Sequence, residues 1–177
     1  MDSKTRFITY NGIGIALFVV LTMCLQVPVF ENYYLCLGYL VMMVYCTRFG
    51  AVSGSIVGTF GVILYCVLTS GLRGMPGWTL GNLLIGIVLG TVLPKLMKNS
   101  ADRRNSALLR YALMVIIIIA VTAAAILGVK SLTECLLYGQ PMVVRIVKNS
   151  YAFVADAFMM IVSIPVCELL STRFRTA

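Results

Sequence analysis

Histidine is absent from this 177-residue sequence, and only six residues are acidic. The absence of histidine excludes haem bound through histidine, zinc sites that use histidine and triads built on a histidine base. The six cysteines show no C-x-x-C spacing, and no G-x-x-x-x-G-K-[ST] loop is present to bind ATP. Asp156 has no acidic neighbour at helical spacing. The sequence therefore predicts a protein that is not an enzyme and that holds no metal and no cofactor.

Charge is also scarce, at 11% of residues, whereas 60% are hydrophobic and the mean hydropathy is +0.99. A soluble domain has roughly a quarter of its residues charged. So many apolar side chains exceed what one small core can bury. The composition therefore predicts an integral membrane protein whose surface is largely solvated by lipid.

Six apolar segments are long enough, or nearly so, to cross a bilayer, which requires about 20 residues per helix. They predict an all-α membrane protein in which residues 1–177 form a single bundle of six transmembrane helices. The second segment is short and meets the third at CTRFGAV, so these two are expected to form a tight hairpin. The first segment is interpreted as a retained helix rather than a signal peptide, because further spans follow closely. The predicted spans cover residues 10–27, 34–47, 50–71, 77–96, 108–129 and 149–170.

The basic residues predict the orientation of this bundle. With six spans both termini share one side, which holds ten lysines and arginines against four on the other, and the positive-inside rule places the richer side in the cytoplasm. The ten are Lys4, Arg6, Arg48, Lys95, Lys98, Arg103, Arg104, Arg110, Arg173 and Arg175, and the four are Arg73, Lys130, Arg145 and Lys148. The net charge of +8 then reflects topology and contact with anionic membrane lipid, and no nucleic-acid partner is expected.

The stretch LRGMPGWTLGN, residues 72–82, gathers Arg73, the single tryptophan Trp78 and Asn82. This topology places it where the outer loop enters the fourth span. Trp78 is compatible with a residue of the interfacial aromatic belt, and Arg73 with one that extends to the headgroups. Asn82, however, follows four residues later on the same helical face, and a buried amide requires a partner. The pattern favours a polar site at the outer end.

A second polar row lies in the sixth span, at KNSYAFVADAF. Asn149, Phe153, Asp156 and Met160 recur at helical spacing and form one stripe. With a helix starting near Asn149, Asp156 would lie about 10 Å below the outer end. Carboxylates at such a depth face a cavity or a partner.

Two interpretations of Asp156 remain open. In one, the carboxylate binds a ligand that enters from outside. In the other, it pairs with Arg73, Arg145 or Lys148 and only fixes the packing of the helices.

Further polar residues are expected in the same outer vestibule. The first outer loop, PVFENYY, contains Glu31, Asn32, Tyr33 and Tyr34, and the long outer loop predicted at 130–148 contains LTECLLYGQP. Aromatic faces, amides and a few charges in a largely apolar pocket suit a small planar or polar solute.

Glycines at four-residue spacing predict close helix packing in the bilayer. They are Gly50, Gly54 and Gly58 in the third span, and the two pairs Gly77 with Gly81 and Gly86 with Gly90 in the fourth. In the first span, Gly12 and Ala16 are also four residues apart, on a helix whose remaining surface suits lipid or a membrane partner.

The chain resembles the substrate-binding S-components of energy-coupling factor (ECF) vitamin transporters in several features. It has six spans in under 200 residues, a short second span, GIALFVV in the first, a glycine-rich third and a loop with W, G and N that opens the fourth. The resemblance covers the whole chain. It implies a cell-membrane protein that captures a vitamin with high affinity and associates with a transmembrane coupling protein (T-component) and two ATPases. It also implies that a small-residue patch, here Gly12 and Ala16, contacts the coupling protein.

The resemblance places the binding site in the outer halves of helices four to six and the loops above them. The predicted substrate-binding residues are Trp78, Asn82, Asp156, Asn149, Phe153, Arg73, Tyr33 and Tyr34. Loops 28–33 and 72–77 are expected to close over the solute. A heterocycle such as pyridoxine, hydroxymethylpyrimidine, riboflavin or a queuosine precursor is favoured, and pantothenate is left open by the nearby arginines. The alternatives are a proton-coupled transporter that works alone and a structural or regulatory membrane subunit.

Overall fold

A computed structural model describes most of the chain, with short gaps between the elements. The described residues are 3–24, 27–30, 33–69, 71–98 and 104–173. Of the residues singled out above, Glu31, Asn32, Arg103 and Arg175 lie outside these ranges.

The described chain is helical apart from one small β-hairpin, as the composition predicts. The helices are α1 (Ser3–Cys24), α2 (Gly38–Leu68), α3 (Met75–Lys98), α4 (Arg104–Ala123), α5 (Ser131–Tyr138) and α6 (Met142–Arg173). A π-helical segment, Ala124–Lys130, joins α4 to α5 and is called the π-segment below. The antiparallel strands β1 (Val27–Phe30) and β2 (Tyr33–Leu35) lie between α1 and α2.

Five helical stretches are long and apolar enough to cross a membrane. They are Ser3–Cys24, Gly38–Leu68, Met75–Met97, Leu108–Tyr138 and Met142–Leu170. The second of them is bent back on itself, because Gly50 has a left-handed backbone with φ 80° and ψ −168°.

Contacts across Gly50 show that the two arms of α2 run antiparallel. A methyl group on Gly54 would lie 3.1 Å from the Cα of Cys46, and one on Gly58 would lie 2.6 Å from the Met42 sulfur. In a straight helix, residues 46 and 54 would be about 12 Å apart. The turn predicted at CTRFGAV is therefore present, and the glycines of the second arm allow the first arm to approach closely.

The second arm of α2 also packs closely against α3. A methyl group on Gly86 would lie 2.5 Å from the Cα of Ser55, and one on Gly90 would lie 2.4 Å from the Cα of Ala51. These distances are shorter than any carbon–carbon contact between packed groups, so only hydrogen fits there. The close approach predicted from glycine spacing is thus observed for this pair of helices.

The predicted outer loop 130–148 is mostly helical instead. α5 continues the π-segment to Tyr138, and α6 begins at Met142, which leaves residues 139–141 as the connection. The side chains of Leu132, Leu136 and Leu137 point outward from α5 and are exposed. An apolar outer surface of this kind suits lipid. The fifth predicted span therefore continues as helix beyond residue 129, where it was predicted to end.

The bundle has two distinct ends. The Trp78 end contains residues 71–74, the start of α3, α5, the β-hairpin and the start of α6; the Gly50 end contains the turn of α2, the start of α1 and the end of α6. At the Trp78 end, the Tyr138 hydroxyl donates to the Arg73 carbonyl. At the Gly50 end, Arg110 forms an ion pair with Glu168 at 3.5 Å.

Candidate functional site

A chain of hydrogen bonds at the Trp78 end links α3 to the first arm of α2. The Trp78 indole Nε1 donates to the Tyr39 hydroxyl at 2.8 Å, and that hydroxyl lies 2.9 Å from the Asn82 Oδ1, to which it donates. Asn82 in turn donates through Nδ2 to the Gly58 carbonyl at 3.2 Å. Tyr39 and Asn82 are fully buried. The predicted common face of Trp78 and Asn82 is confirmed, since both contact the same tyrosine.

Asp156 joins this chain from α6. Its side chain is 6% exposed and lies beside the Tyr39 hydroxyl, whose proton is donated to Asn82. Because α6 begins at Met142 rather than near Asn149, Asp156 lies fourteen residues into the helix, about 21 Å from its start rather than the predicted 10 Å. The carboxylate is therefore an interior group with neighbours on α2.

The charge that acts on Asp156 is that of Lys130, the last residue of the π-segment. Lys130 lies against α3, where a methyl group on Gly77 would be 3.0 Å from its carbonyl oxygen and 3.1 Å from its Cγ. The same ammonium also acts on the buried Cys66 thiol of α2. Lys130 is half-buried, and the base of its side chain lies against α3.

The three cations proposed as structural partners of Asp156 are placed elsewhere. Arg145 pairs with the buried Glu134 at 3.4 Å. The Arg73 guanidinium lies 5.3 Å from the centre of the Tyr138 ring. Lys148 is exposed on α6. That part of the prediction is wrong, because the helical extension of α5 supplies Arg145 and Arg73 with other partners.

Asn149 belongs to a neighbouring cluster. Its Nδ2 donates to the Ser131 Oγ at 3.0 Å and to the Glu134 Oε2 at 3.1 Å. Glu134 also receives the ion pair from Arg145. Asn149 therefore fastens α6 to α5, two helical turns from Asp156, and is not bonded to Trp78 or Asn82.

The remaining predicted residues surround the cluster. Phe153 is half-buried on α6, three residues before Asp156. Arg73 lies in the turn that precedes α3, and its side chain is exposed. Tyr33 and Tyr34 lie in β2, where they pair with Phe30 and Pro28 of β1, and β2 packs against α6.

Sequence reasoning missed Tyr39 and Lys130. Tyr39 belongs to the apolar segment LGYL, where one hydroxyl carries little weight in hydropathy. Lys130 was assigned to a loop, although Leu132, Leu136 and Leu137 continue the helical apolar pattern beyond it. That pattern could have indicated that Lys130 belongs to a helix.

The cluster combines aromatic rings with hydrogen-bond donors and acceptors, and it includes one positively and one negatively charged side chain. The Trp78 ring is half-buried and meets the Tyr65 ring edge-on, with centroids 5.7 Å apart. The polar groups come from α2, α3, α6 and the π-segment, and π-helical turns occur frequently at functional sites. Among the described residues, no group of three or more cysteines and acidic residues is close enough to hold a metal ion.

A second surface lies on α1. Gly12 and Ala16 are exposed, and a methyl group on Gly12 would meet nothing within 4 Å. The opposite face of α1 is buried through Gly14, Phe18 and Thr22. The small residues therefore lie on the side of α1 that faces away from the bundle.

Several apolar helices that enclose a cluster of buried polar side chains define a multi-pass membrane protein with polar groups in its interior. Comparison with known proteins identifies the family: the one described as ECF-type riboflavin transporter, S component, matches residues 2–171. The chain belongs to this family. It is a multi-pass protein of the cell membrane, and it belongs to a transporter family rather than to an enzyme family.

Partial similarity extends to curated proteins that carry only a family designation. A UPF0397 protein of Lactococcus lactis subsp. cremoris (strain NZ9000) is 32% identical over 92 residues, which cover 50% of this chain and 49% of that protein. A UPF0397 protein of Streptococcus thermophilus (strain ATCC BAA-491 / LMD-9) is 29% identical over 89 residues, with the same coverage. The chain thus spans about half the length of these relatives. No solved structure matches it.

Proposed function

We propose that this S-component captures a vitamin-like heterocycle at the Trp78 end and delivers it to an ECF-type importer. The observation that carries the proposal is the cluster of Trp78, Tyr39, Asn82, Asp156 and Lys130, which brings an indole, a phenol, an amide and two opposite charges together inside an apolar bundle. Groups of this kind orient a planar solute while the apolar surroundings strengthen each polar contact.

The orientation of the bundle supports capture from outside. With the two arms of α2 counted separately, the helices cross the bilayer six times and both termini lie in the cytoplasm. Arg48 and Arg110 then lie on the cytoplasmic side, at the Gly50 end, whereas Arg73 and Arg145 lie outside. The positive-inside rule favours this arrangement, and the Trp78 end faces the source of the solute.

The charges of the site favour a neutral or weakly basic ring over an acid. Asp156 is balanced by Lys130, and Glu134 is balanced by Arg145. Of the arginines that left pantothenate open, Arg145 is paired with Glu134, and Arg73 is exposed over the Tyr138 ring. Riboflavin is the first probe, because the family description names it; pyridoxine, hydroxymethylpyrimidine and a queuosine precursor are the next.

The polar groups of the cluster satisfy one another, so binding requires an exchange of partners. Trp78, Tyr39 and Asn82 bond to one another. A ligand that takes over some of these bonds orders the cluster around itself, and residues 72–74 and the β-hairpin close above it. Such closure excludes water and strengthens the remaining contacts.

Release inside depends on partners. In this proposal the exposed Gly12 and Ala16 of α1 admit a helix of the coupling protein at short range, since small residues allow backbones to approach. The coupling protein carries two ATPases, whose hydrolysis drives release. The chain alone binds its solute and does not pump it.

The test begins with mass spectrometry of the solute that co-purifies with the chain, followed by titration of that solute, or of riboflavin, against Trp78→Ala and Asp156→Asn. Both variants should weaken binding at least about 10-fold, as loss of a buried charged or aromatic contact does. Phe158→Ala is the matched control, because Phe158 is an exposed aromatic residue two positions from Asp156. Uptake by the chain alone in proteoliposomes with a pH gradient would instead indicate a proton-coupled transporter.

A further inference from the structure

Resting on the proposed function, we propose that Tyr138 fastens two connections at the Trp78 end and so controls how fast the solute enters and leaves, without setting its affinity. Tyr138 is the last residue of α5. Its contacts join the turn of residues 71–74, which leads into α3, to the connection between α5 and α6. These contacts are called the clasp below.

The clasp consists of one hydrogen bond and two contacts between a cation and an aromatic ring. The Tyr138 hydroxyl donates to the main-chain carbonyl of Arg73. The guanidinium groups of Arg73 and Arg145 lie 5.3 Å and 6.0 Å from the centre of the Tyr138 ring. Cations within about 6 Å of a ring centre are attracted to the ring. Tyr138 is therefore held by Arg73 from the turn and by Arg145 from α6.

The side of the clasp formed by α5 and α6 is firmly held. Arg145 pairs with the buried Glu134 at 3.4 Å, and Asn149 donates to the same carboxylate at 3.1 Å. α5 ends at Gly139, which has a left-handed backbone with φ 64°, and only residues 139–141 separate α5 from α6. A short connection above a buried polar network keeps Tyr138 in place.

The turn on the other side of the clasp can move. It begins at Gly71 and ends at Gly74, and the two residues between them are exposed. A methyl group on Gly74 would meet no described atom within 4 Å, and its φ is not positive. Neither close packing nor a left-handed backbone explains this glycine, whereas the backbone freedom of glycine does. α3 itself is held from Gly77 onward, where a methyl group would lie 3.0 Å from the Lys130 carbonyl oxygen.

The clasp spans the outer ends of the helices that carry the cluster. Trp78 lies one helical turn beyond residues 71–74, and its backbone N–H donates to the Gly74 carbonyl at 3.2 Å. A solute that approaches from outside displaces the turn, and the contacts of Tyr138 break as it does so. Because every partner in the clasp belongs to the protein, the clasp forms with or without solute. Its loss therefore accelerates entry and exit by the same factor.

The experiment measures the association and dissociation rate constants of riboflavin with the purified chain by stopped-flow fluorescence. Tyr138→Phe removes the hydroxyl and keeps the ring. Both rate constants should rise about 2- to 10-fold, the equivalent of one hydrogen bond, while the Kd changes by less than about 2-fold. Gly74→Ala should instead lower both rate constants about 2- to 5-fold, because alanine reduces the freedom that the turn gains when it opens.

Tyr111→Phe is the matched control, because Tyr111 is an exposed tyrosine on α4 and the loss of its hydroxyl should leave both rate constants unchanged. A rise in the dissociation rate constant alone would overturn the proposal, because Tyr138 would then stabilise the bound solute instead of controlling access. Unchanged rate constants in Tyr138→Phe would also overturn it and would leave the substrate-binding role intact.

Hydrogen exchange tests the clasp without any solute. The backbone amides of residues 72–74 should exchange faster in Tyr138→Phe than in the wild type or in Tyr111→Phe. Equal exchange in all three chains would contradict the clasp. Failure of the purified chain to bind any solute would overturn the proposed function itself, and with it the role of the clasp in solute entry.

Discussion

The two ends of the bundle use the same helices in opposite ways. At the Gly50 end, α2 and α3 approach so closely that Gly86 and Gly90 leave no room for a methyl group. At the Trp78 end, the same two helices are joined by hydrogen bonds among Trp78, Tyr39 and Asn82. Hydrogen-bonded side chains can exchange partners for those of a ligand, whereas interlocked backbones cannot.

This difference suggests that the two ends of the bundle have different roles. Backbone contact at the Gly50 end fixes how the two arms of α2 and α3 lie together. The polar groups at the Trp78 end are then held on a rigid frame but remain free to reorganise. Buried polar networks of this type are costly when only partly satisfied, so a ligand must replace every hydrogen bond that it takes over, and this requirement favours solutes with matching donors and acceptors.

The largest expected effect comes from filling the helix contact at the Gly50 end. Gly90→Leu places a side chain where even a methyl group would lie 2.4 Å from the Ala51 Cα, so α2 and α3 must separate. Overpacking usually costs about 1–3 kcal/mol, and here the obstacle is backbone that cannot move aside. We expect no monodisperse protein by size-exclusion chromatography in detergent, whereas Gly12→Leu, on an open face, should purify like the wild type.

The next effect is expected on transport and not on binding. Gly12→Leu together with Ala16→Leu should leave the Kd for the solute unchanged but reduce uptake at least about 10-fold in proteoliposomes that contain the coupling protein and ATPases, because bulky residues keep helices apart. Val52→Leu enlarges an exposed residue on α2 and should have no effect. Normal uptake by the double variant would remove Gly12 and Ala16 from the docking surface.

A smaller effect is expected when one tyrosine hydroxyl is removed, and the result should differ between the two ends of the bundle. Tyr39→Phe removes the hydroxyl shared by Trp78 and Asn82 and should weaken solute binding by about 10-fold, the value of one buried hydrogen bond. Tyr45→Phe, on the same arm, removes a hydroxyl that donates to the Tyr10 carbonyl at 2.6 Å near the Gly50 end. It should lower the Tm in detergent but leave the Kd unchanged. Equal losses of affinity would mean that both act through general stability.

The smallest effect is expected at the surface of the Trp78 end. Arg73→Ala removes an exposed guanidinium that lies over the Tyr138 ring, a contact of about 0.5–1 kcal/mol. We expect a loss of affinity of about 2- to 5-fold, measured by equilibrium titration. A loss above 100-fold would show that Arg73 contacts the solute directly.

Hydropathy and helical spacing predict much of the bundle. The apolar segments, the turn at CTRFGAV and the glycine contacts between α2 and α3 all follow from rules that depend on local sequence. Trp78 and Asn82 were paired from their four-residue spacing, and the structure joins them through Tyr39. Their role in substrate binding remains a prediction.

Other features depend on contacts between segments that are far apart in sequence. The π-segment arises from a shift in hydrogen bonding that no residue pattern predicts, and it makes Lys130 a half-buried helical residue instead of the loop residue that was predicted. Asn149 was assigned to the stripe of Asp156, but α5 supplies it with Ser131 and Glu134. Tyr39 carries no signal in its own segment, because its importance depends on facing α3 and α6.

The central claim is that the solute binds at the Trp78 end, and the only tryptophan of the chain allows a direct test. Riboflavin, or the co-purified solute if it absorbs in the same range, is titrated into the wild-type chain while the indole emission is recorded. We predict that one equivalent abolishes nearly all emission of Trp78 and that Asp156→Asn shifts the titration to higher concentration. Tight binding detected through the ligand, with the indole emission unchanged, would contradict the account.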